Sequence, residues 1–314
     1  MFTAQLFGSG GSVAHTLMRR YNDRWKMKNK KTSKSSLVVG LTPEGYKVSD
    51  LRMTKPTFHY AKGGNGSMLV QDIDTIKLNR SRNISYFVPN NIGMLMSVSA
   101  KASRRAKEIY ERKFKSPTYE LDVTKLTGDK KEAIGAISSD VYDYVEEIQS
   151  AIVFAYTALE AFANLSIPQD HIYQASKNSK GITESYDKVA IERWLSLKTK
   201  IKHILPSVYS TTNVEKQKWW GQFVTLEEYR NEIIHQKSIG ATEFYKSYFK
   251  DSIFNIINCV EAVISFFYVA HQNNGKTNEV WPWLNGHADI PSIEFEQSQF
   301  EVVGNVHQGW KKSL

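Results

Sequence analysis

The chain has 314 residues, of which 41% are hydrophobic and 23% charged, a balance that excludes a disordered or fibrous protein and suffices for one large core or two ordinary ones. Its net charge of +9 is uneven, because residues 1–131 hold 25 Lys+Arg against 10 Asp+Glu and residues 132–314 hold 16 against 22. The basic half fits polyanion binding driven by counterion release, or a solvated surface kept for solubility.

The N-terminal stretch MFTAQLFGSGGSVAHTLMRR has no apolar run long enough for a signal peptide, since Gly and Ser interrupt it from residue 8. The basic segment MRRYNDRWKMKNKKTSKSS, 18–36, carries Tyr21 and Trp25 among its cations. It fits a nucleic-acid grip by charge and stacking, or an exposed helix leading into a linker. Residues 1–96 read as a basic, strand-rich module. SLVVGLTPEGYKVSD predicts a hairpin about Pro-Glu-Gly, and TFHYAKGGNGSMLVQDID a second one about Gly-Gly-Asn-Gly. The glycine-rich stretches 7–12 and 62–67 lack the Gly-Lys-Ser/Thr ending of a phosphate-binding loop, and the second fits a turn that needs positive φ.

Helical periodicity begins near residue 97. SVSAKASRRAKEIYERKFK predicts a basic surface helix within a connecting region, 97–129, that bridges two domains. A long helix follows from Lys130 to Leu165, with Ile148, Ile152, Ala155, Leu159 and Phe162 as its core stripe and Pro168 at its end. SYDKVAIERWLSLKTKIKHIL predicts a second helix closed by Pro206, and a third starts near Asn213 and runs through Trp219, Phe223, Leu226, Tyr229 and Ile233. A fourth spans about 243–271, where Asn255, Asn258, Glu261 and Ser265 draw a polar stripe that argues for a packed helix over a membrane span. These four make an antiparallel bundle over 130–272, so the expected class is α+β. The tail, 273–314, is aromatic-rich and predicts either docking on the bundle or an added edge strand.

Cys259, the single cysteine, lies in the fourth helix, which excludes a disulfide and a multi-cysteine zinc site and points to a cytoplasmic protein.

Chemistry concentrates in LEEYRNEIIHQK, 226–237. Asn231 and His235 are four residues apart and share a helix face, and Arg230 diverges from His235 by about 140° but is long enough to curl back. Together the three heads can meet one phosphate beside a titratable group. This suits transesterification at an RNA phosphodiester: an imidazole moves the proton of the 2′-hydroxyl or the leaving 5′-oxygen, a guanidinium takes up charge on the phosphate, and an amide orients. No cofactor or metal is required, and a lone His is a poor metal site. Read structurally, Arg230 is a surface charge beside Glu227 or Glu228, and His235 caps the negative end of its helix. His15, His59, His203, His271 and His287 lack comparable company.

TALEAFAN at 157–164 on the long helix, a Pro-ended helix, an aromatic-rich helix leading into Arg230-Asn231-x-x-x-His235, and a final apolar helix resemble the HEPN (higher eukaryotes and prokaryotes nucleotide-binding) superfamily over about 130–272. The resemblance implies a metal-independent endoribonuclease of toxin–antitoxin or antiphage defence systems, working as a homodimer with a composite site and regulated by an antitoxin or other protein partner. It also implies a carboxylate on the long helix that pairs with Arg230: Glu160 is the candidate, with Glu146 and Glu147 as competitors. In one branch a nucleotidyltransferase partner modifies a Tyr two residues beyond the motif His; that position here is Lys237, so modification by such a partner is not implied. The alternative is a non-catalytic HEPN-like module that binds nucleic acid or nucleotides as a scaffold. Neither reading involves a membrane.

Overall fold

The computed structural model describes residues 35–62, 66–176, 181–211, 213–235, 243–273, 278–285 and 289–294. The fold is α+β, with a five-stranded sheet beside a larger helical body. The basic segment 18–36 lies almost wholly outside the described residues, as do His15, His287 and Lys237.

The sheet is organised around β3 (Ser67–Lys77), the longest strand. β1 (Ser35–Gly40) pairs antiparallel along one side of it, while β2 (Thr57–Tyr60) and β4 (Asn83–Phe87) share the other, β2 against Ser67–Val70 and β4 against Ile73–Lys77. The expected hairpin about the Gly-rich turn is therefore present as β2–β3. The one expected about Pro-Glu-Gly is not, although Gly45 turns the chain at φ 82 and Tyr46 N donates to Pro43 O. β1 pairs with β3 instead, and the second apolar run is drawn inward: Tyr46 stacks on Trp283 at 6.1 Å and its hydroxyl meets Gln71 Oε1 at 3.3 Å. This long-range pairing meets β3 at Leu69 and Val70, which are buried.

Four long helices form the bundle: α1 (Asn91–Ile109), α2 (Lys130–Ser166), α6 (Trp220–Ile234) and α8 (Ser252–Asn273). α1 is the helix expected to bridge domains on the surface. It instead runs antiparallel along α2, where Ser99 Oγ donates to Ala151 O at 2.8 Å, Arg105 pairs with Glu147 at 3.2 Å, and Lys113 of the following π-helical turn (Tyr110–Phe114) meets Asp140. Ala102 and Ala106 are small enough to bring the two axes together, and so few apolar positions suffice for packing. The predicted span of α2 agrees with the observed one to a residue.

The segment expected as one helix ending at Pro206 is broken. α3 (Lys188–Trp194) stops before Ser196, which caps α4 (Leu197–Thr199); a π-helical stretch (Lys200–Ile204) follows and leads into α5 (Leu205–Tyr209). Pro206 sits in the first turn of α5, where its missing N–H costs nothing, so it continues the chain where a stop was expected. This segment closes one end of the bundle, with Tyr209 OH donating to Ser166 O at 2.6 Å. The helix expected from Asn213 starts later: Asn213 takes a left-handed conformation, a 3-10 turn (Val214–Lys216) follows, and α6 opens at Trp220. The expected fourth helix is divided into α7 (Glu243–Tyr248) and α8.

By length and composition α2 and α8 are able to cross a membrane, and half of each apolar stretch is buried in the bundle. Asn255, Asn258 and Glu261 form the exposed stripe of α8. Cys259 is buried in the same helix, and burial pushes its thiol up to about 12.

Both outcomes expected of the tail occur. Trp281 is fully buried, its Nε1 donating to Ser166 Oγ at 2.8 Å, and a short strand, Ser292–Glu294, adds to β2 in parallel. Lys55 reaches from the sheet side to the hydroxyl of Tyr268 on α8, and its ammonium lies 4.4 Å from the Tyr268 ring centre and 5.3 Å from that of Trp283.

Candidate functional site

Arg230 and Asn231 occupy the last turn of α6, and His235 is its C-cap. The antiparallel course of α6 against α2 sets Arg230 over Tyr156, with the guanidinium carbon 4.9 Å from the ring centre. Tyr156 is buried in the same core as Ile152, Ala155 and Leu159, so it offers Arg230 a fixed platform. Arg230 Nη1 donates to Asn231 Oδ1 at 3.1 Å, which joins the two polar heads. The backbone N–H of His235 donates to Asn231 O at 2.9 Å and places the imidazole, exposed, one turn beyond the amide. All three motif residues thus stand at one end of one helix.

Glu160 lies one turn beyond Tyr156 on α2, but no ion pair joins it to Arg230 among the described residues. Arg230 spends its plane on the Tyr156 ring instead, and the Tyr156 hydroxyl donates to Glu227 Oε1 at 3.2 Å. Burial raises the Tyr156 pKa first, the charge and hydrogen bond of Glu227 add to it, Glu160 contributes further, and Arg230 opposes them. The competitors for the carboxylate role are placed elsewhere: Glu147 pairs with Arg105 of α1, and Glu146 is exposed.

Behind Glu160 sits Lys200 of the π-helical stretch, 1% exposed. Its Nζ donates to Asn164 Oδ1 at 2.8 Å and to Glu192 O at 3.2 Å. Burial lowers its pKa, and the carboxylates of Glu160 and Glu192 pull it back up. Tyr156, Glu160 and Asn164 therefore recur at i, i+4, i+8 along one line of α2. Sequence reasoning named Glu227 only as a surface charge near Arg230 and missed Tyr156, Asn164 and Lys200. One signal was present, in the Glu227–Arg230 spacing of three, but only packing shows which neighbours these residues meet.

The remaining histidines are separate. His271 packs edge-on to Tyr209, His59 lies on β2 with burial lowering its pKa, and His203 is exposed on the π-helical stretch. No group of three His, Cys, Asp or Glu side chains among the described residues is close enough to share a metal ion. The Arg230 fork and the Asn231 amide are groups able to bind an anion, and His235, one turn on, is a group able to exchange a proton.

A family model described as the YopA C-terminal domain matches residues 137–267, a stretch that runs from within α2 to within α8 and includes every residue of the site. No curated protein and no solved structure matches the chain.

Proposed function

We propose that the helical bundle is a metal-independent endoribonuclease of the HEPN type, a toxin or antiphage-defence effector whose active form is a homodimer. The observation that carries the reading is the joined Arg230–Asn231 pair with His235 one turn on, on the open end of α6 and braced by Tyr156. In the reaction, the O2′ proton passes to a base as O2′ attacks phosphorus, and the P–O5′ bond breaks as an acid protonates the leaving O5′. The products are a 2′,3′-cyclic phosphate and a 5′-hydroxyl. His235 serves in proton transfer, Arg230 meets the charge on the non-bridging oxygens, and Asn231 orients the phosphate.

One feature favours a dimer. The reaction needs a base and an acid at once, and among the described residues one chain offers a single imidazole here. A second copy supplies the other imidazole. Glu160 then acts through the Tyr156 and Lys200 network as a positioning residue for the Arg230 platform.

A second reading, a HEPN-like binding scaffold without chemistry, is favoured by one observation. No described side chain holds the His235 imidazole, whereas catalytic histidines are oriented by a second group. The test is incubation of the full chain with RNA in excess EDTA, beside His235→Ala and Arg230→Ala, followed by mapping of the ends. Cleavage by wild type alone, leaving cyclic phosphate, supports the ribonuclease; RNA binding without cleavage by any of the three supports the scaffold.

A further inference from the structure

Residues Asp74–Ser85 are exposed without interruption and form a two-stranded ribbon that leaves the body of the sheet. β3 loses β2 at Val70 and β1 at Ile73, and from there to Lys77 only β4 pairs with it. An isolated two-stranded ribbon is marginal in water. This one is braced at its tip, where Asn79 Oδ1 accepts from Ser81 N at 3.0 Å and Arg82 N at 2.9 Å, and Leu78 N donates to Arg82 O at 2.9 Å. Thr75 and Ser85 join their hydroxyls across it at 3.0 Å. The braced tip carries Lys77, Arg80 and Arg82, and none of the three is in an ion pair with another described residue.

We infer that this ribbon is an RNA-binding arm, with Lys77, Arg80 and Arg82 gripping the phosphate backbone of a strand that extends beyond the candidate site. Charge decides between nucleic acid and protein as its occupant. The apolar part of the ribbon is Ile76, Leu78 and Ile84, about half exposed at 49%, 50% and 51%. Three such side chains fall well short of the roughly 800 Å² per partner of a stable protein interface. Three unpaired cations on an ordered ribbon, by contrast, each release counterions when they meet a phosphate. The ribbon also belongs to the strongly basic part of the chain. RNA as the occupant rests on the proposed activity; the backbone grip does not.

The experiment measures binding of a 20-nucleotide single-stranded RNA, and of DNA of the same sequence, to the full chain carrying His235→Ala, in EDTA and over a series of salt concentrations. Adding Lys77→Ala, Arg80→Ala and Arg82→Ala is expected to weaken RNA binding about tenfold or more at moderate salt, and to make the slope of log affinity against log salt shallower by about 2. Arg80→Lys with Arg82→Lys should keep most of the affinity, which separates charge from folding. Unchanged RNA affinity in the alanine variant overturns the inference. So does a loss of oligomer mass with RNA affinity intact, which would make the arm a protein contact. If wild type fails to cleave but the arm variants still lose affinity on both probes, the ribonuclease reading falls and the arm stands as a general backbone site.

Discussion

Arg230 shows how one residue's role depends on its platform. Its cation lies on a buried ring, so its position is set by packing as well as by charge. Arg230→Ala is expected to lower RNA cleavage by about 10²–10³ and His235→Ala by about 10²–10⁴, read as initial rates on a defined oligonucleotide. Arg230→Lys should recover little, because an ammonium lacks the planar fork. Tyr156→Phe keeps the ring and removes the hydroxyl from Glu227, so about 1.5 kcal/mol of stability should be lost in urea unfolding while most activity survives. Tyr156→Leu removes the ring itself and should depress kcat in soluble, folded protein. Equal activity of the Phe and Leu variants would show that the platform does not matter.

Among the elements, α1 departs most from what its sequence suggests. Its low apolar content reads as a surface helix, yet Ala102, Ala106, Ser99 and Ser103 are buried against α2 because small side chains permit a close approach. The same closeness governs its first turn. A Cβ on Gly93 would lie 2.9 Å from the backbone oxygen of Leu51, which cannot swing away as a side-chain end could. Gly93→Ala should therefore cost about 1–3 kcal/mol, although alanine is the better helix former. A variant as stable as wild type in urea unfolding would mean that the Leu51 turn yields. For α6, the C-cap matters more than the propensity of its interior: ending the helix at His235 is what leaves the imidazole exposed beside Asn231.

At the scale of the molecule, Lys55 ties the sheet to the bundle and the tail. Burial lowers its pKa to about 8 from 10.5, with Asp289 opposing the shift. Its folded pKa is below its unfolded one, so the penalty for burying the ammonium is in force below pH 8 and fades as pH rises toward 10.5. Lys55→Met escapes that penalty. Its stability relative to wild type should thus be greatest below pH 8 and should shrink by up to roughly 3 kcal/mol toward pH 10.5. Taking the difference between the two proteins cancels Cys259 and the buried tyrosines, whose raised pKa values erode stability at high pH. A difference that does not vary with pH in thermal melts would rule the mechanism out. Trp281→Ala, by emptying a fully buried site between Phe162, Tyr209 and Tyr268, should cost about 3–5 kcal/mol and loosen the bundle as well as the tail. Activity per chain should rise with protein concentration through the dimerisation range if two motifs form one centre.

What the amino-acid sequence determined alone is what periodicity and local chemistry can carry. The 37 residues of α2, the β2–β3 hairpin, the buried and polar sides of α8, and the grouping of Arg230, Asn231 and His235 all follow from spacings within one segment. Tertiary structure alone decided which segments meet. It placed α1 in the bundle, took β1 from its local partner and gave it to β3, brought the tail back to both sheet and bundle, and set Arg230 on Tyr156 with Glu160 and Lys200 behind. The physical reason is that local patterns state which side of an element is to be buried but not against what. The partner is chosen by shape and by the satisfaction of buried polar groups such as Lys55, Lys200 and Ser166, whose hydrogen-bond partners lie tens to hundreds of residues away for most of their contacts.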